Sequence, residues 1–459
     1  MKARPTPSGS TPSGSNILIA ALLVAGLTAC GPSPDSEETK AELPPLPTLA
    51  PGPIEAWPDY RGPLHNGDAG SPGLPVSWSE TENVRWKTPI HDVGFSTPVV
   101  LDGKIWLTTA TEDGKALYAL AVDFESGQIL HDVKVFDIES PQEKHELNSY
   151  ATPSPVVEPG RVYVHFGAHG TAALDTQSGE VLWTRTDIEC NHRVGPASSP
   201  VLFEDLLILQ MDGLDLQFLI ALDTSTGETV WRSDRPTDFG DIPDDEWKKS
   251  YSTPLLLPGT EGPVLVNVAA AGVFGHDARS GEELWRYRYQ GFSTTPRPIS
   301  DGPHIVFSSG HGVTSLIGFA RGGRGDVTAQ AHRWIDGANV PKISSPVLVD
   351  GLLYLVTDGG IASCRRAIDG TMLWRLRVGA PVGASPIHAD GHVYFFDRKG
   401  RALILKAGEG QPEEVGRPQL DEGMEASPVV YGSSLILRTL GHLYRVEKSA
   451  ESAETAAGP

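Results

Sequence analysis

The sequence predicts an all-β protein, an eight-bladed β-propeller of four-stranded antiparallel blades, and three observations carry that prediction. A Ser/Thr-Pro pair followed by a short apolar run recurs eight times along the chain. An Asp-x3-Gly element that ends in a large aromatic residue follows it in register in several copies. Gly and Pro, at 50 and 38 of 459 residues, exceed what helix interiors tolerate and demand frequent turns.

The prolines of the recurring pair are Pro98, Pro155, Pro200, Pro254, Pro296, Pro346, Pro386 and Pro428, separated by 57, 45, 54, 42, 50, 40 and 42 residues. That period suits one propeller blade per copy. In each copy the pair leads into an apolar strand, a turn and a second strand, as in SPVLVDGLLYLVTDGG from Ser345. Asp102-Gly103, Asp350-Gly351 and Asp390-Gly391 supply residues that tolerate positive φ in a tight hairpin. Pro at the strand entry is tolerated because that edge donates no ladder hydrogen bond.

The second element reads AVDFESGQILH from Ala121, ALDTQSGEVLW from Ala173, ALDTSTGETVW from Ala221, GHDARSGEELW from Gly275 and CRRAIDGTMLW from Cys364. The Asp accepts turn N–H groups, the Gly takes the left-handed conformation, and Trp183, Trp231, Trp285 and Trp374 each bring an apolar face to dock on the neighbouring blade. Arg366 stands where other copies have the Asp, and His131 where they have the Trp. The fifth copy carries a longer turn, RGGRGDVT from Arg321, which predicts a distorted rim.

Four strands per copy give one blade, and a ring of blades must close to avoid an open sheet edge. The last copy, ASPVVYGSSLILRTLGHLYRVE, supplies three strands and stops, whereas Asn83-Val84-Arg85-Trp86-Lys87 precedes the first copy as a lone Trp-bearing strand. The N-terminal strand is therefore expected to complete the C-terminal blade.

Ahead of the repeats, Lys2 and Arg4 precede an apolar run from Ile17 to Leu27 that is too short to span a bilayer. It ends in Leu27-Thr28-Ala29-Cys30, which resembles the lipobox of bacterial lipoproteins and implies lipidation of Cys30. Gly31 stands where Asp would signal inner-membrane retention, so the resemblance implies the periplasmic face of an outer membrane. The domains read as a signal peptide over 1–29, a Pro-rich solvated tether over 30–56, the propeller over 57–447 and a disordered tail over 448–459. A net charge of −21 makes nucleic acid an unsuitable partner and leaves membrane attachment to the acyl chains. Cys190 and Cys364 fall in different repeats and read as separate thiols.

The Ala-x-Asp-x3-Gly-x2-Trp pattern resembles the bacterial proteins with pyrroloquinoline-quinone-like propeller repeats, over Trp57 to Glu447. Among lipoproteins of that type, the chain is similar in anchor, length and architecture to the outer-membrane protein assembly factor B family, which implies a scaffold that assists a β-barrel insertase. Trp57-Pro58-Asp59-Tyr60-Arg61-Gly62-Pro63 and Glu189-Cys190-Asn191-His192-Arg193 depart from the repeats. The resemblance to quinoprotein dehydrogenases implies a quinone between a Trp and a vicinal disulfide, with Ca²⁺ beside it. The chain has no adjacent cysteine pair, so neither a quinone cofactor nor catalysis is expected.

Cys190, Asn191, His192 and Arg193 form the most chemically loaded cluster, but structural zinc wants four N/S ligands and no second pair stands at ligand spacing. The cluster reads instead as an inter-blade loop at one mouth of the central channel. Arg297, which follows the fifth Thr-Pro, joins it as a candidate for binding an anionic side chain, against the plainer reading of an internal ion pair. His165 and His169 are placed on one face of a strand, and His388 and His392 beside a hairpin turn, all as surface polar positions without a metal role. Arg324-Gly325-Asp326 reads as turn chemistry. Together these readings predict a non-enzymatic envelope scaffold that binds proteins and needs no cofactor, the alternative being a small-molecule or quinone binder with oxidoreductase activity.

Overall fold

In the computed structural model residues 43–235 and 248–449 are described, so the expected signal peptide, Cys30 and residues 450–459 of the expected tail lie outside the described residues. Eight sheets follow one another along the chain, each with four antiparallel strands from one stretch of sequence except the last, and the fourth gains a further strand from the fifth repeat. Blade 3 illustrates the pattern, with strands Val201–Phe203, Leu206–Asp212, Gln217–Asp223 and Thr229–Asp234. Its second strand is buried at every position, while the outermost alternates between exposed and covered. A strand sandwiched between two neighbouring blades has no solvent face, so it reads as a continuous apolar run rather than as an alternation.

Closure is as the sequence predicts. The strand Val84–Pro89 pairs antiparallel with His442–Val446, and that sheet runs on through Ser434–Arg438 to Val429–Tyr431. Arg445 crosses the seam, donating to the Phe124 carbonyl at 3.0 Å and to Glu125 at 2.8 Å.

The docking tryptophans meet the turn glycines of the next blade. A Cβ built at Gly227 would lie 2.7 Å from the Trp183 indole, and one at Gly281 would lie 2.4 Å from that of Trp231. Trp183 also donates its indole N–H to Thr224 O at 3.0 Å, and Trp374 donates to Gly408 O at 3.2 Å. Trp86 and Trp334 dock in the same way, on Gly127 and Gly370, and His131 replaces the indole over Gly179. Trp285 has no such turn to meet, because blade 5 carries RGGRGDVT instead; it packs edge-on against Phe319, and Gly325–Asp326 adds a parallel fifth strand to blade 4. The rim is distorted there, as expected. Where Arg366 replaces the Asp, the turn persists through a backbone bond from Gly370 N to Arg366 O at 2.9 Å.

Two expectations need correction. Residues 43–56 of the expected tether lie against the propeller: Leu46 packs with the core of blades 4 and 5, Arg321 donates to Pro44 O, and Ile54 exchanges two hydrogen bonds with Gly432. Their few apolar residues, spaced along a Pro-rich extended segment, are enough to seat it. His165 and His169 are buried rather than at the surface, and the strand ends at His165 so that His169 lies in the following turn.

Candidate functional site

The Ser/Thr of each Ser/Thr-Pro pair faces the propeller axis, where the pairs are stitched together. Thr97 N–H donates to Ser154 Oγ, Ser154 N–H to Ser199 Oγ, and Ser199 N–H to Thr253 Oγ1, at 2.9–3.0 Å. Ser345, Ser385 and Ser427 continue the chain of bonds, and Ser427 N–H returns to Thr97 Oγ1 at 3.2 Å. Between blades 4 and 6 the pattern shifts, with Arg297 N–H donating to Ser345 Oγ. The recurrence of a hydroxyl residue before Pro thus has a physical cause: Pro ends the donor row, and the hydroxyl receives the amide of the preceding blade.

One end of the channel is closed by the segment that departs from the repeats. Trp57 exchanges two backbone bonds with Val100, Pro58 O accepts from Val157 N–H, and Ala69 N–H donates to His388 O. Tyr60 sits across the axis, its hydroxyl 3.1 Å from both Ser345 Oγ and Ser385 Oγ. Arg297, 1% exposed, donates to the Tyr60 and Pro254 carbonyls and lies 3.5 Å from Asp59. Arg61, also 1% exposed, donates to Pro346 O. Burial lowers the pKa of both guanidiniums, Arg61 to about 10, and the Asp59 carboxylate opposes the shift at Arg297.

Above Tyr60 the channel opens into a funnel of about 520 Å³ on the face of the inter-blade loops. Counting three residues back from each proline gives Phe95, Thr152, Ala197, Tyr251, Ser293, Ile343, Gly383 and Glu425, and every one lines it. An extended approach to the first strand turns every second side chain toward the axis. The scaffold repeats while the lining does not: this position varies freely in size and polarity. Arg398 pairs with Glu425 at 2.7 Å, and burial raises the Glu425 pKa against that pairing. Lys249 donates to His192 O and stands 5.1 Å from the Tyr251 ring centre, and burial lowers its pKa to about 8.

Of the five candidate mouth residues, Arg193 lines this funnel. Cys190 is in the blade 3 core, where burial raises its thiol pKa to about 12, so it is neither a ready nucleophile nor a thiolate ligand. His192 is buried against Gly167, and its N–H donates to Gln142 Oε1. Asn191 is exposed and bonds to Asp215 and to Arg193 N–H. Arg297 lies beneath the floor, in the internal ion pair of the plainer reading. His388 is covered by the N-terminal segment and pairs with Asp68 at 2.8 Å. Sequence reasoning missed Tyr60, Lys249, Tyr251 and Phe292; the positions three and five before Pro254 signalled Tyr251 and Lys249, whereas Tyr60 and Phe292 fall outside that spacing.

A sequence profile described as outer membrane protein assembly factor BamB matches residues 69–187 and 326–449, more than half of the chain. The chain belongs to this family. A BamB from Yersinia pestis is 23% identical over 212 residues, covering 42% of this chain and 50% of that protein, so the chain spans about half the length of this relative. The crystal structure of BamB from Moraxella catarrhalis superposes with a TM-score of 0.55 at 12% identity, over 79% of this chain and 99% of that one. Quinohemoprotein alcohol dehydrogenase from Comamonas testosteroni gives 0.58 at 13% identity, over 86% and 81%, and a europium-containing methanol dehydrogenase gives 0.58 at 12%, over 81% and 91%. At these identities the likeness is one of fold.

The fold shared with those dehydrogenases raises the question of a quinone and its metal, and the residues of this BamB-family funnel do not fit them. The two described cysteines are free, buried and in different blades. The carboxylate lining the cavity, Glu425, is held by Arg398, and no group of three His, Cys, Asp or Glu able to hold a metal occurs among the described residues. A Ca²⁺ ion takes six to eight oxygen ligands.

Proposed function

We propose that this BamB-family propeller is a non-enzymatic, lipid-anchored scaffold of the bacterial envelope that binds other proteins during outer-membrane protein assembly. The observation that carries the reading is the match of the assembly-factor profile to both the first and the last blades. The outer strands lend support: Ile129, Leu130, Val181, Leu182 and Val230 are 40–53% exposed on three successive blades. Apolar side chains repeated along an outer rim offer contact area to partners. The anchor reading rests on Leu27 to Cys30.

In-cell photocrosslinking from Leu130, Leu182 and Val230, read by mass spectrometry, is the test. The scaffold reading expects envelope proteins attached at these positions. Recovery of lipid or small molecules without any protein would overturn it. Cys30→Ala should release the protein from the membrane fraction and abolish acyl labelling.

A further inference from the structure

The floor of the funnel is ringed by hydroxyls. Thr97, Ser154, Ser199, Thr253 and Ser427 line the cavity, and each hydroxyl oxygen already accepts an amide of the preceding blade. A hydroxyl that accepts still has one O–H to give, and among the described residues none of these five donates to a protein acceptor. The arc of O–H groups therefore converges on the cavity.

Charge points the same way. The chain carries 58 Asp and Glu against 37 Lys and Arg, yet among the described lining residues Arg398 and Glu425 cancel and Lys249 is a buried cation. Lys249 is 2% exposed, its electrostatic partners include Cys190 and Asp215, and no carboxylate of the described residues stands in ion-pair contact with it. Lys249, Tyr251 and Thr253 alternate along one segment and share the axial side, while Ser250 and Ser252 donate outward to Val268 O and Pro296 O. Cation, aromatic ring and hydroxyl thus stand in a row, with Phe95 and Phe292 beside them.

We propose that the funnel binds a small organic anion, its carboxylate seated on the hydroxyl arc and Lys249 and its apolar body against Phe95, Tyr251 and Phe292. Such a ligand accepts every converging donor and gives the buried ammonium a counter-charge in a low-dielectric setting. This inference is independent of which proteins the outer rim contacts.

Calorimetric titration of the full chain at low salt with 3-phenylpropionate and with its neutral amide tests it. The acid is expected to bind at least about tenfold more tightly than the amide, the step set by one charge-assisted contact. Lys249→Gln and, separately, Ile343→Asp, which adds a carboxylate to the lining, should each weaken the acid by about tenfold or more. Ile343→Asp leaves the Lys249 bond to His192 in place, so it decides the matter if Lys249→Gln fails to fold. Equal binding of acid and amide, unchanged acid affinity in Ile343→Asp, or no binding of the acid would each overturn the proposal.

Discussion

Ser427 donates its backbone N–H to the Thr97 hydroxyl at 3.2 Å, joining the last blade to the first across 330 residues of chain. The same exchange links most neighbouring blades, so ring closure is secured at the axis as well as by the strand pairing of Val84–Pro89 with His442–Val446. Thr97→Val keeps the shape and removes the acceptor, leaving the buried Ser427 amide without a partner. Loss of about 1–3 kcal/mol is expected in denaturant unfolding, and Thr97→Ser should restore nearly all of it. Equal stability of the Val and Ser variants would show that the hydroxyl contributes nothing to closure.

Much of this was legible in the sequence, because the repeat encodes backbone requirements that recur in every blade. The Pro that ends the donor row, the positive φ at Gly127, Gly179, Gly227, Gly281 and Gly370, and the docking indoles each leave a fixed letter at a fixed spacing. Seam closure was legible because three strands at one end and one at the other leave a single way to complete a sheet. The plug was not, since Trp57 to Gly70 folds by contacts with residues such as Val100, Pro346 and His388 that lie far away in sequence. Arg297 was read as a cation near the mouth for the same reason: the Asp59 and Tyr60 that hold it are 238 and 237 residues away.

Trp334 lies over Gly370, whose φ is +72° and whose added Cβ would fall 2.6 Å from the indole. Trp334→Ala should cost about 3–5 kcal/mol, the usual range for deleting a buried indole. Gly370→Ala should also destabilise, through the clash and through the left-handed backbone. In the double variant the clash is gone and only the backbone cost remains, so the two effects should sum to less than their separate values by more than about 0.5 kcal/mol. A strictly additive cycle would mean that the indole does not dock on this turn.

Four buried imidazoles give the fold an acid limit. Burial lowers the pKa of His165 and His276 to about 3, and lowers those of His169 and His192, so all four are neutral when folded. The unfolded chain takes up these protons near pH 6.5, so their contribution is fully present above that value and is lost as pH falls from 6.5 toward 3. His165 and His276 should each cost about 2 kcal/mol by pH 5. Denaturant midpoints measured from pH 7.5 to 5 should fall, and His165→Gln should shrink the difference by about that amount. A variant with the same pH dependence as the parent would show that His165 titrates normally in the fold.

Arg297 and Asp59 hold the plug in place, and the charge balance around them sets what a substitution does. Asp59 also pairs with His65 at 2.7 Å, and Arg61 stands close enough to Arg297 for each cation to disfavour the other. Arg297→Met removes the donors to the Tyr60 and Pro254 carbonyls and leaves Asp59 with His65 as its partner. Breaking such a buried pair from one side costs about 3–5 kcal/mol. Arg297→Glu should cost more, because it places a second carboxylate beside Asp59. The blades retain their axial hydroxyl bonds and their docked indoles in either variant, so the loss should fall first on the N-terminal segment. Limited proteolysis should therefore cut between Trp57 and Gly70 in Arg297→Met at protease levels that leave the parent intact, while the fragment from Val84 onward persists. Simultaneous cleavage throughout the blades would mean that the plug is a cooperative part of the ring rather than a closure laid across it.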